Sequence, residues 1–211
     1  WPGAEHRRVV QPSAGSSCHS LLLGPTGSGK SWLLAELLLS QIVGGDGVVL
    51  LDMKGDTAAD VLARIPQNRR DQVLVIEPGN GLPVPGLRSF AGEPELAADL
   101  LLGVFRGLFP ATFGVRSERY LRMVFQTLPH DRQATLADAP RLLSDERYRR
   151  WLVGRLDDPL LIGQWAEFEA LSPGSRQEHL ASPLGKLAEV LSRRVVRTML
   201  AQAQPKMTVA E

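Results

Sequence analysis

The chain has 211 residues, 44 % of them hydrophobic, with a formal net charge of +1. That is room for one large domain or two small lobes, and the near-balance of charge argues neither for nor against nucleic acid as a partner. The single cysteine, Cys18, excludes an intrachain disulfide, no apolar run is long enough to cross a bilayer, and there is no secretory signal.

Residues 1–17 are polar and rich in Pro, Gly and Ser, which reads as a lead-in segment with little structure of its own. The chain starts at Trp1 without a methionine, which leads to the expectation of a processed or excised piece of something longer. An apolar run predicts a first strand at 19–23, with Cys18 beside it as a buried thiol. Then comes Gly24-Pro25-Thr26-Gly27-Ser28-Gly29-Lys30-Ser31, a complete G-x-x-x-x-G-K-S loop, followed by a helix from Trp32 to about Val43. Strand, loop and helix in that order are the context a phosphate-binding loop needs. The glycines let the chain curl round a phosphate chain without Cβ clashes. Exposed N–H groups and the helix start, with Trp32 in its first turn, offer an anion site. Lys30 is placed to reach the β- and γ-phosphates, and the Ser31 hydroxyl to ligate Mg²⁺. The ligand implied is ATP with Mg²⁺. A Gly/Ser-rich turn explains the glycines but leaves a cation at a helix start unexplained.

Gly44-Gly45-Asp46-Gly47 predicts a helix stop. Val48-Val49-Leu50-Leu51-Asp52 and Gln72-Val73-Leu74-Val75-Ile76-Glu77 predict a second and third strand, with a short helix at 58–65 between them. Alternating strands and helices imply a three-layer α/β sheet. After Pro78 the pattern changes. Residues 78–94 read as a long irregular connection, and helical patterns occupy 95–109, 118–128, 136–143, 145–156, 159–171 and 176–200. Start signals are Thr135 with Asp138, Ser175 with Glu178, and Asp158-Pro159. The division expected is a lead-in at 1–17, a nucleotide lobe at 18–94, an all-helical lobe at 95–204 and a tail at 205–211.

Two strand ends offer a carboxylate for the magnesium site, Asp52 and Glu77, and the pattern alone does not choose between them. Asp52 with Lys54 fits a group that polarises water near the γ-phosphate or Mg²⁺, a pair that closes the site electrostatically, or a plain strand-end ion pair or turn. Arg116 and Arg119, at a helix start, gain nothing from the helix dipole. One reading is an arginine finger reaching a neighbouring subunit, Arg116 ahead of Arg119; the other is a solvated arginine beside Glu118. Arg147, Arg149 and Arg150, interleaved with Tyr148 and Trp151, suit single-stranded DNA, but the flanking acids favour an amphipathic helix with Trp151 in the core. Arg193, Arg194 and Arg197 pose the same choice. Trp165 and Phe168, with Leu161 and Leu171, fall at helical core spacing. His6, His19, His130 and His179 form no metal pattern.

The loop together with Leu51-Asp52-Met53-Lys54-Gly55-Asp56 resembles the conjugative coupling-protein ATPases, the TraD/TraG-like motors of type IV secretion in the wider HerA/FtsK class. The stretches Phe113–Arg119, Ala134–Asp138 and Gln164–Phe168 also look like that family, so the resemblance spans most of 18–204. It implies a RecA-like ATPase lobe with an all-helical lobe inserted, a ring of subunits, commonly six, and translocation of DNA or nucleoprotein. It implies secretion-channel partners and a cytoplasmic location, with the inner face of the membrane reached through segments outside this chain. It also implies a principal magnesium carboxylate pair on a later strand, after the chain's end at Glu211. Two other readings stay open: a nucleotide-switched docking module, and a self-contained kinase-like phosphate-loop enzyme.

Overall fold

The computed structural model describes residues 20–77, 84–90 and 92–203. The lead-in segment, Cys18, His6, His19, the first residue of the expected strand at 19–23, residues 78–83 and the tail at 205–211 lie outside the described residues. The chain divides into two compact units at Val73/Leu74.

In the first unit, α1 (Lys30–Gly44) and α2 (Asp56–Arg64) pack on one another. Their shared core is small: Ala35 and Leu39 from α1, Val61 from α2, and Ile65 just beyond it. Leu38, Ile42, Leu50 and Val73 lean on it. Arg64 in the last turn of α2 pairs with Glu36 on α1 and, at 3.2 Å, with Asp60 one turn back. The glycine stop at the end of α1 is realised. Gly45 sits at φ 96°, and the N–H groups of Gly45 and Asp46 close on Ile42 and Gln41.

The α/β expectation is overturned here. Among the described residues there is no strand and no sheet, and the protein is mainly helical. The runs at 21–23, 48–51 and 74–76 form no backbone hydrogen bond. A buried parallel strand needs a ladder on each side and cover on both faces. Instead Leu21, Leu23, Val49 and Leu51 are at least 80 % exposed. β-branched, apolar composition marks a run that suits a sheet, but it does not supply a partner.

The second unit is a helical assembly of α3 (Pro94–Leu108), α4 (Val115–Thr127), α5 (Ala139–Ser144), α6 (Glu146–Val153), α7 (Pro159–Ala170), α8 (Pro173–Ser192) and α9 (Arg194–Leu200). Its core is dense. Leu121, Val124, Phe125, Leu142, Leu152 and Leu187 are fully buried, and α4 runs through the middle, touching α3, α5, α7 and α8. The rings of Phe105 and Phe125 lie 5.5 Å apart, and Trp165 meets Phe168 edge-on at 5.9 Å. Trp165, Phe168 and Leu161 are core residues, as their spacing predicts. The indole N–H of Trp165 donates to Thr127 Oγ1 at 2.9 Å.

Several boundaries differ from expectation for identifiable reasons. The capping box at Thr135 and Asp138 is present, but it starts a 3₁₀ turn at Leu136–Asp138 that runs into α5. Ser172, not Ser175, caps α8, because Pro173 is already fit for the first helical position. The single helix expected over 176–200 breaks at Arg193, whose extended backbone (ψ 114°) separates α8 from α9.

Candidate functional site

The loop ahead of α1 has the shape its sequence calls for. Gly27 and Gly29 sit at φ 82° and 84°, the left-handed region where a side chain is strained. A Cβ on Gly24 would stand 2.6 Å from Ser28 Oγ. One turn bond, Ser28 N–H to the Pro25 carbonyl at 3.2 Å, folds the loop. Helix α1 starts at Lys30 with no side-chain cap and no acid in its first turn. The N–H groups of Gly27, Gly29, Lys30 and Ser31 are left without a backbone acceptor. Free donors at an uncapped helix start, with the positive end of the dipole behind them, are what an anion needs there.

Lys30 turns back over the loop. Its ammonium donates to the carbonyls of Gly24 at 2.6 Å and Pro25 at 2.7 Å. These are solvent-accessible bonds to neutral oxygens, and a phosphate oxygen is a stronger acceptor for the same group. Thr26, Ser28, Ser31 and Trp32 are all exposed along this rim. The loop therefore brings together Gly24, Pro25, Thr26, Gly27, Ser28, Gly29, Lys30, Ser31 and Trp32 as one continuous surface.

Asp52 lies in the same unit, where it makes the turn that was one of its expected roles and, beyond that expectation, caps a helix. One carboxylate oxygen accepts from the Lys54 N–H at 3.0 Å; the other accepts from Thr57 at 2.9 Å and Ala58 at 3.0 Å. Asp52 thus caps the start of α2 from beyond the helix, with Gly55 at φ 85° making the turn. The Ala58 and Lys54 amides hold its carboxyl below the ordinary 3.8. The Asp52–Lys54 relation is a turn through the Lys54 amide, not a side-chain ion pair. The signal was readable: an Asp followed three residues on by Gly and then a helix is an Asx-type turn.

Magnesium fits this loop in the manner that ion favours. Among the described residues no group of three or more His, Cys, Asp or Glu is placed to hold a metal. Ser31 offers one hydroxyl at the helix start, and Mg²⁺ commonly completes its shell with substrate phosphates and water.

Glu77 and Arg116 belong to the second unit. Glu77 is exposed. Arg116, in the first turn of α4, pairs with Glu178 of α8 at 3.2 Å, both side chains more than half exposed. Arg119 pairs with Glu167 at 2.5 Å, and Arg122 with Asp99 at 2.5 Å. The expected basic face of α6 is redistributed. Arg149 is buried, held by Glu169 at 2.5 Å and by the carbonyls of Leu142 and Leu143. Trp151 is 45 % exposed rather than in the core, stacked with Tyr148 and in contact with the Arg155 guanidinium. Arg150 pairs with Glu146, and Arg147 is exposed.

The family model of the helicase HerA central domain matches residues 15–145, more than half of the chain. The chain belongs to that family. The match takes in the glycine-rich loop, Asp52 and α4 with Arg116, and ends before α6. Membership places this HerA-family chain among the phosphate-loop ATPases in the general sense, and implies use of a nucleotide and Mg²⁺. Neither a curated protein nor a solved structure matches the chain.

Proposed function

We propose that the chain is the ATP-binding part of a phosphate-loop motor that couples ATP hydrolysis to movement of DNA or nucleoprotein through a conjugation-like secretion system. The observation that carries the nucleotide reading is the uncapped start of α1. Free amides, left-handed glycines and the Lys30 ammonium converge there, in a chain of the HerA family. In this reading the amides of Gly27, Gly29 and Lys30 cradle phosphate, Lys30 exchanges its two carbonyls for β- and γ-phosphate oxygens, and Ser31 ligates Mg²⁺. Asp52 orders the turn that starts α2 in the same unit, its oxygens already committed to Lys54, Thr57 and Ala58. Arg116 suits the role of a finger toward a neighbouring copy. Its bond to Glu178 is an exposed ion pair, which costs little to exchange for a phosphate. A ring of subunits, secretion-channel partners and a cytoplasmic position against the inner membrane face complete the proposal. They rest on the resemblance to coupling proteins and on the oligomers typical of HerA-family motors.

A second reading, in which the helical unit docks a protein, is favoured by the surface of α3. Leu96, Leu100, Val104 and Leu108 recur every fourth residue, each more than half exposed. The same unit buries Arg149 against Glu169 and pairs Arg150 with Glu146, two of the arginines that would grip DNA. The discriminating experiment is turnover of the assembled protein, with and without single-stranded and duplex DNA, alongside Lys30→Ala. Stimulation by DNA that disappears in Lys30→Ala supports the motor. ATP binding with no response to DNA supports the docking reading.

A further inference from the structure

Helix α3 is apolar on both of its sides. Ala97, Ala98, Leu102 and Phe105 are buried against the rest of the second unit. Leu96, Leu100, Val104 and Leu108 stand in solvent on the other side. A helix that is hydrophobic all round is normally buried all round, so the outer side of α3 lacks its cover.

The relief of that side is specific. Leu96, Leu100, Val104 and Leu108 are four residues apart and form one continuous ridge. The neighbouring row is Asp99, Gly103 and Gly107, all exposed. A Cβ built on either glycine would meet nothing within 4 Å. A ridge of branched side chains therefore runs beside a groove floored by bare backbone. Helix pairs most often set the four-residue ridge of each helix into the groove of the other. Here one helix carries both halves of that fit, which is what a self-complementary two-fold contact requires.

Charge selects the same occupant and its direction. Along the edge that α3 shares with α4, Arg106 pairs with Glu118 at 3.0 Å, Glu118 with Arg122 at 3.5 Å, and Arg122 with Asp99 at 2.5 Å. From the end of α3 towards its start the signs run plus, minus, plus, minus. Turned end for end, the same edge runs minus, plus, minus, plus. Arg106 then faces Asp99 of the second copy, and Glu118 faces Arg122 of the second copy. The centre of the turn is given twice. Leu102 lies midway between Leu96 and Leu108, and the midpoint of Asp99 and Arg106 falls between Leu102 and Gly103. The antiparallel helix dipoles add to the attraction.

We propose that the outer side of α3 binds a second copy of this chain, α3 against α3 and antiparallel, with the ridge of each helix in the glycine groove of the other. This names the partner for the docking reading of α3 given above and rests on it. The contact closes on itself, and so is separate from the head-to-tail contacts that build a ring. One helix pair is at the small end of interface sizes, so the dimer is weak and forms at micromolar concentration or above.

The test is sedimentation equilibrium of the full chain without nucleotide, from micromolar to millimolar concentration. A reversible monomer–dimer equilibrium is expected. Leu100→Lys should abolish it with an unchanged melting temperature, because the side chain is exposed in the monomer. Gly103→Leu should also abolish it by filling the groove, and should leave the melting temperature unchanged or raised, because glycine is a poor helix former. Asp99→Lys and Arg106→Asp should each lose the dimer alone, since each sets like charges opposite one another. Mixed together, the two variants should recover association as a heterodimer, because Lys then faces Asp across the contact. A monomer at every concentration overturns the proposal, as does a dimer that survives Leu100→Lys or a mixture that recovers nothing. A monomer that binds ATP without responding to DNA overturns the dimer alone and leaves α3 to a different protein, with the docking reading intact.

Discussion

The two units bury their apolar residues to very different extents. The second unit surrounds α4 on several sides and leaves Leu121, Val124 and Phe125 with no exposure at all. The first closes over only Ala35, Leu39, Val61 and Ile65, while Trp32, Val49 and Leu51 face solvent at 65 %, 83 % and 90 %. Ligand-binding elements tend to come from the less stable end of a structure, and a ligand that binds only the folded form adds its own stabilisation. The glycine-rich loop sits in the sparsely packed unit. An anion bound at its helix start would add its stabilisation to the unit that packs least.

Truncation in the dense core should give the largest effect. Phe125→Ala removes a fully buried ring and should cost about 4 kcal/mol, read as loss of the more stable transition in denaturant unfolding. Glu169→Ala should follow closely, at about 3 kcal/mol, because it leaves the buried Arg149 guanidinium with carbonyl partners only. Saturating nucleotide should act on the other unit. A hundredfold excess of ATP·Mg²⁺ over its Kd should add about 2.7 kcal/mol to the first transition alone, and Lys30→Ala should remove that gain. Val61→Ala, in the small core, should cost about 2 kcal/mol and leave the second transition in place. If Val61→Ala and Phe125→Ala unfold the protein as one unit, the contrast between the two regions is wrong.

The smallest expected effect is set by pH and should reach both units. Asp52 caps α2 and Asp145 caps α6, and backbone donors hold both carboxyls below the ordinary 3.8. A depressed folded value means the contribution is present above the unfolded pKa and lost as pH falls through the folded one. Helix content should therefore hold down to about pH 4 and decline below it, the decline shallower in Asp52→Asn and Asp145→Asn.

How much was legible in the sequence follows the same division. The shape of the glycine-rich loop was readable, because Gly27 and Gly29 answer a local demand for positive φ. Helix stops such as Gly45 were equally local. The sheet was not, because an apolar run at 48–52 states that it would suit a strand and nothing about what it pairs with. Asp52 was singled out, but its partners Thr57 and Ala58 lie one helix start away, and only the turn geometry ranks capping above chemistry. On α6 the reading placed Trp151 inside and Arg149 outside. The structure reverses them because Glu169 and two carbonyls are waiting for the guanidinium, and Glu169 is 20 residues along the chain.

The central claim is that the amides at the start of α1 receive phosphate. Hydrogen exchange of the loop with and without ATP·Mg²⁺ tests it most directly. The account predicts protection concentrated at Gly27, Gly29, Lys30 and Ser31, absent in Lys30→Ala, with the amides of α4 unchanged. Exchange at those four residues that is indifferent to saturating nucleotide would contradict it.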